Sequence, residues 1–314
     1  MKKLILLAYC LLGGWSAHAQ EWKPLKWPVL KHYDQQHLYR IALPLGGIGT
    51  GTVSLGGRGE LRDWEIMNVP AKQFSTVTPG NNAPFFAIYT KEPGKEAQTT
   101  LLTGPLYDHE YLHYEGRPVD HHGFPRFSVA TFDAAYPFGQ VHLSDPELPV
   151  AVTVKGFNPL IPGDAENSGL PVAVLSYEVT NRTEQPLEVA VCGSIRNFIG
   201  KDGSKFTSNW KGDYVPLGAK ANRNLYKKTD GLQGIYFYSE GVDHADPAFG
   251  TMALTTQAQE GVSYRTASVP DDWNNAILDF WDDFSADGVL TENSKPADDD
   301  PMACLLYTSP SPRD

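Results

Sequence analysis

The chain has 314 residues, of which 41% are hydrophobic, with 29 Gly, 24 Pro and a formal charge of −11 at pH 7. This is enough apolar material for one large or two small cores, and the Gly, Pro and aromatic content (7 Trp, 15 Tyr, 14 Phe) suits a turn-rich β protein. Collagen, coiled coil and membrane-helix bundle are excluded, and the acidic balance leaves no basic footprint for a nucleic acid.

The N-terminus reads as a signal peptide over residues 1–19. Lys2 and Lys3 form a positive start, Leu4 to Gly14 an apolar stretch too short to span a bilayer, and Ala17-His18-Ala19 a small-x-small cleavage site before Gln20. Export to the periplasm or the outside is therefore expected, with no transmembrane segment. Three basic residues and one acidic residue fall in the two terminal segments, 1–19 and 304–314. Without them, 284 residues carry 23 Lys+Arg against 36 Asp+Glu, a net charge of about −13. Of the 3 cysteines only Cys192 remains, so no internal disulfide is available and the core must hold the fold.

The Gly-rich run Leu45 to Gly59 follows Pro44, and its first glycines are followed by Thr52-Val53-Ser54-Leu55, a strand-and-turn context. A dinucleotide or phosphate loop would need a helix after it, so these glycines read as hairpin and close-packing positions. Just beyond, Asp63 and Glu65 flank Trp64 and share one face if the strand is extended. Glycosidases need two carboxylates at a set separation, but nothing in the sequence marks this pair as the acid and nucleophile.

His109-Glu110-Tyr111-Leu112-His113 satisfies the H-E-x-x-H pattern of zinc proteases, in which a helix brings two His to one face beside a general-base Glu. The longer signature fails at Val119, where a third ligand should stand, and Pro105, Gly116, Pro118, Gly123 and Pro125 leave little room for a helix. Asp120, His121 and His122 are the remaining ligand types nearby. No metal and no cofactor are expected.

Val150–Val154, Pro171–Val179 and Leu187–Val191 are β-branched runs that read as core strands, the last two as a hairpin around Thr180–Gln185. Gly231–Ser239 and Thr251–Thr256 suggest a further pair. Their spacing predicts an all-β fold, a two-sheet antiparallel sandwich over 20–292. After Pro270, apolar residues at 273, 276, 277, 280, 281 and 284 predict one short helix near the C-terminus. Residues 293–303, with Asp298-Asp299-Asp300, read as a linker. The last segment, 304–314 (CLLYTSPSPRD), back-translates into one frame of a transposase adapter used in sequencing libraries, so the natural chain is expected to run on past Ala303.

The stretch Arg40 to Thr52 with Leu61-Arg62-Asp63-Trp64-Glu65-Ile66-Met67-Asn68 resembles the N-terminal domain of the glycoside hydrolase family 116 β-glucosidases, which include the non-lysosomal glucosylceramidases. Gly123–Phe127, Ala135–Phe138, Phe157–Pro162, Pro171–Val174 with Asn181, and Trp281–Phe284 with Asp287-Gly288 agree over about residues 30–290. The resemblance implies a retaining β-glucosidase whose sandwich packs on a following (α/α)6 barrel that holds both catalytic carboxylates. It assigns no catalytic residue here, and the fragment by itself is expected to be inactive. Gly47, Gly49, Arg62, Trp64, Glu65 and Asn68 are candidates for the interdomain face. The competing reading is a secreted non-catalytic carbohydrate-binding or interaction sandwich that uses Trp64, Trp210 or Tyr236 to stack on sugars.

Overall fold

In the computed structural model, residues 31–66, 83–111, 121–201, 206–208, 214–216, 221–269, 275–293 and 302–310 are described. The expected leader and nearly all of the expected linker lie outside them.

The first layer is an antiparallel sheet with order β1 (Lys31–Tyr33), β7 (Val129–Ala135), β8 (Phe138–Ser144), β9 (Val150–Phe157), β10 (Leu175–Asn181). β9 shows why it forms. Val150, Val152 and Val154 alternate with residues that stay partly exposed, which is the period-2 pattern of a strand with one face in a core.

The second layer runs β17 (Val262–Arg265), β18 (Met302–Pro310), β11 (Glu188–Arg196), β5 (Phe85–Lys91), β6 (Gln98–Leu101). Here alternation disappears because both faces are covered. Ile88 and Val189 join Phe132, Val141 and Val152 of the first layer in the sandwich core. Phe85, Ala87, Tyr89, Ala190 and Cys192 turn the other way and pack under α3 (Asn275–Asp287).

That helix is the expected C-terminal one. Phe280 and Phe284 are fully buried on it, and the Phe85 and Phe280 rings meet edge to face at 5.4 Å. It stops at Gly288, whose φ of +72° is the left-handed cap that glycine adopts without strain, its N–H bonded to the Phe284 carbonyl at 3.0 Å. Arg265 of β17 ties the helix down, reaching Asp279 at 2.6 Å and Asp283 at 3.1 Å.

Three smaller sheets complete the body. β2 (Ala42–Leu45), β3 (Thr52–Gly56) and β4 (Leu61–Glu65) form a meander that adds Leu43, Leu45 and Leu55 to the sandwich core. The meander contains the Gly-rich run, whose glycines are loop and turn positions except Gly56, which ends β3 opposite Ala42, in keeping with the strand-and-turn context. β14 (Asn222–Thr229), β15 (Leu232–Ser239) and β16 (Met252–Thr256) form a second meander, which realises the pair expected over 231–256. β12 (Phe206–Ser208) and β13 (Tyr214–Pro216) pair with each other.

Two sequence expectations are corrected. Residues 171–191 are not a hairpin: β10 pairs with β9 in the first layer, and β11 pairs with β5 and β18 in the second. The polar segment between them is an arch that changes layers. It is closed by Asn181, whose side chain accepts the Thr183 N–H at 2.8 Å and donates to the Gln185 carbonyl at 2.8 Å. β11 is buried on both faces and must therefore sit centrally in a covered sheet, which a partner as exposed as β10 cannot provide. The β10 strand also begins later than expected, at Leu175, and leaves Pro171–Val174 outside any strand and exposed.

Residues 302–310 occupy the slot between β11 and β17, with Ala303 opposite Ile195 and Pro310 opposite Glu188. Residues 304–310 of the segment read as adapter thus fall in a strand position of the second layer.

Candidate functional site

The H-E-x-x-H segment is built for another purpose. The α1 helix spans only Asp108–Tyr111, and His113 and Asp120 lie outside the described residues. Glu110 points at Arg58 and binds it through two parallel bonds, Nη1 to Oε2 at 2.6 Å and Nη2 to Oε1 at 3.0 Å. The Tyr107 amide donates to the same carboxylate at 2.7 Å, and the guanidinium lies 4.9 Å from the Tyr107 ring centroid. Burial pushes the Glu110 carboxyl up, but the hydrogen bonds and charge of Arg58 outweigh it and hold the group below the ordinary carboxylate range.

His109 and His121 are engaged as well. His109 stacks on Tyr107 at 5.7 Å and meets Tyr39 edge-on at 4.8 Å. His121 donates from Nε2 to the Ala83 carbonyl at 3.0 Å and stacks on Phe124; burial lowers its pKa to about 4, so it is neutral at pH 7. Among the described residues no three His, Cys, Asp or Glu side chains converge as metal ligands.

The Asp63/Glu65 pair does not share a strand face. The β3–β4 register slips between Ser54↔Arg62 and Thr52↔Glu65, placing an extra residue on β4, and Asp63 takes it up with a left-handed φ of +52°. Asp63 and Trp64 are consequently buried side by side. The bulge breaks the alternation on which the expectation rested, and strand periodicity alone carries no sign of it.

The candidate interface residues fall into two groups. Arg62 and Trp64 find their partners inside the domain. Arg62 donates to the Tyr39 carbonyl at 2.7 Å, and the Trp64 ring packs edge to face on Phe198 at 5.9 Å with only 6% of the residue exposed. So buried, Trp64 has no ring face to offer a sugar; Trp210 and Asn68 lie outside the described residues. Gly47 and Gly49, by contrast, belong to the loop between β2 and β3 at one end of the sandwich, and Glu65 closes beside the same loop. A Cβ added at Gly51 would sit 3.2 Å from the Glu65 carbonyl oxygen.

This loop is locked to the β9–β10 connection. Asn158 donates to the Gly46 carbonyl at 2.9 Å, the Ile48 N–H donates to the Ser168 carbonyl at 2.8 Å, and a Cβ on Gly47 would fall 2.5 Å from the Leu170 carbonyl oxygen. The Asn158 N–H also bonds to the Pro137 carbonyl at 2.9 Å, which joins the β7–β8 turn to the same assembly. Sequence reasoning missed this joining of three connections. The family-like stretches Arg40–Thr52, Ala135–Phe138, Phe157–Pro162 and Pro171–Val174 fall on these connections, but nothing in them says that the connections are joined, and Pro171–Val174 reads equally well as a strand.

The opposite end of the sandwich carries a cleft of about 530 Å³, lined among others by Glu92, Lys95, Gln98, Glu147, Leu148 and Arg182. No aromatic side chain is part of that lining, so it offers no stacking platform for a sugar ring.

Residues 42–308 match the family described as beta-glucosidase 2, glycosyl-hydrolase family 116 N-term. Because the match takes in most of the chain, this protein belongs to the family of N-terminal domains of glycosyl-hydrolase family 116.

Proposed function

We propose that this chain is the N-terminal sandwich of an exported, retaining β-glucosidase or glucosylceramidase-like hydrolase, and that it braces a following (α/α)6 catalytic barrel without contributing the catalytic carboxylates. The observation that carries this reading is the family match over 42–308, a family of N-terminal domains. The disposition of the carboxylates supports it. Glu110 is committed to Arg58, which also meets Glu60 at 3.6 Å, and Asp63 is buried in a bulge beside Arg62, so both carboxylates are engaged in holding the fold. Export rests on the leader pattern of residues 1–19, and continuation of the chain on the adapter frame of 304–314.

The test is to amplify the source DNA across codon 303, express the recovered full-length protein, and assay an aryl β-glucoside in parallel with residues 20–303 alone. Hydrolysis with retained anomeric configuration by the full-length protein and none by the fragment is the expected outcome. A genuine stop codon near Ala303 would overturn the reading.

A further inference from the structure

Val129, Leu225, Leu232, Leu278 and Val289 are exposed apolar residues dispersed over the domain, but the others gather in one place. Ile48 on the Gly-rich loop, Tyr136 on the β7–β8 turn with Phe138 at the adjoining start of β8, and Leu170, Val172 and Val174 on the β9–β10 connection are each 45–60% exposed. All stand on or beside the three connections that Asn158, Gly46 and Ser168 tie together at one end of the sandwich. A soluble domain leaves isolated apolar residues on its surface as a matter of course, but a contiguous patch of several hundred Å² marks a surface that another body covers. The other end of the same two layers is finished with Glu92, Lys95, Glu147 and Arg182, as a solvated end should be.

The backbone beneath the patch is rigid. The Gly47 carbonyl accepts from the Thr50 hydroxyl at 2.8 Å, and the Ser168 hydroxyl both accepts from the Ile161 N–H at 2.9 Å and donates to the Ile161 carbonyl at 3.0 Å. A surface held in this way loses little conformational entropy when it docks.

We infer that this apolar end, and not the Arg62–Trp64 strand, is the surface against which the catalytic domain of the same polypeptide packs. The inference rests on the functional reading above, because it is the membership in a family of N-terminal domains that supplies the occupant. A tethered partner is present at high effective concentration, so an apolar face is sufficient and no steering charges are required, although the β9–β10 connection also carries Asp164 and Glu166.

The experiment uses the full-length protein and maleimide labelling of single substitutions. Ile48→Cys and Val172→Cys report the proposed face; Leu225→Cys and Leu232→Cys, exposed apolar positions on β14 and β15, serve as references. Cys192 is buried and contributes little background. Labelling at 48 and 172 is expected to be at least about tenfold slower than at 225 and 232, in a protein that hydrolyses a β-glucoside. Equal labelling in an active enzyme overturns the docking surface and leaves the functional reading standing. Slow labelling in an inactive full-length protein upholds the covered face and overturns the functional reading. Slow labelling that is lost on dilution identifies a second copy as the occupant and overturns the proposal.

Discussion

Arg58 and Glu110, 52 residues apart, meet fork to fork with both side chains largely buried, and this pair pins the α1 segment to the turn that follows β3. Removing Glu110 leaves the buried Arg58 with only the more distant Glu60, at 3.6 Å, and the Pro105 carbonyl, at 3.0 Å, so the loss falls at the low end of that for breaking a buried pair. Glu110→Ala is expected to destabilise the domain by about 3 kcal/mol, read as a lowered urea midpoint. Chelator treatment should leave the wild-type midpoint unchanged. A midpoint that falls on chelation would restore the metal reading of the H-E-x-x-H segment.

Much of the fold was legible because burial was one-sided or periodic. Val150, Val152 and Val154 announce β9, and Phe280, Trp281 and Phe284 announce α3. What escaped was information that local pattern does not hold. The polar link from Arg182 to Gln185 looks alike whether it joins neighbours in one sheet or crosses between layers; only the two-sided burial of Val189 and Ala190 decides, and that depends on α3 some 90 residues later. The bulge at Asp63 is signalled only weakly: Asp is, with Asn and His, among the non-glycine residues that most often take a left-handed position, but most Asp residues do not. The segment Pro171–Val174 misleads for a different reason: its apolar side chains are exposed in this domain, whereas a strand reading assumes that they are buried within it.

The two candidate glycines separate a steric demand from a conformational one. Gly47 faces the Leu170 carbonyl oxygen, where an added Cβ would sit 2.5 Å away, while Gly49 has open space around it but a φ of +76°. Gly49→Ala is therefore expected to lower stability by about 1 kcal/mol, the cost of a left-handed non-glycine residue. Gly47→Ala must push the β2–β3 loop off the β9–β10 connection and should lower stability by about 2 kcal/mol or more. Thermal unfolding of the two variants side by side checks the order, and Gly49→Ala as the more damaging of the two would contradict the packing at Leu170.

Trp64 is a core residue of the domain, so truncating it acts on the sandwich first. Trp64→Ala is expected to destabilise the domain by about 3–5 kcal/mol, because it empties the contact with Phe198. Trp64→Phe, which keeps an edge-to-face partner, should recover part of that loss. If catalytic activity per folded molecule fell sharply while the urea midpoint of the alanine variant stayed at the wild-type value, Trp64 would belong to an active interdomain contact instead.

His121 gives the domain an acid sensitivity with a defined window. Its folded pKa of about 4 lies below the 6.5 of an unperturbed histidine because burial disfavours the charged ring. Between these two values the unfolded chain binds the proton and the folded one does not, so stability rises with pH. The full contribution of the neutral ring is present above pH 6.5 and is lost as pH falls from there toward 4, by up to about 3 kcal/mol. Below that window the depressed carboxylates Glu110, Asp133 and Asp145 add a further loss as they protonate. Urea midpoints measured from pH 7.5 to 4.5 should decline in the wild type. In His121→Gln, which retains a donor for the Ala83 carbonyl but does not titrate, the decline over this range should be much shallower. Parallel curves for the two proteins would show that His121 protonates as readily in the folded domain as in the unfolded chain.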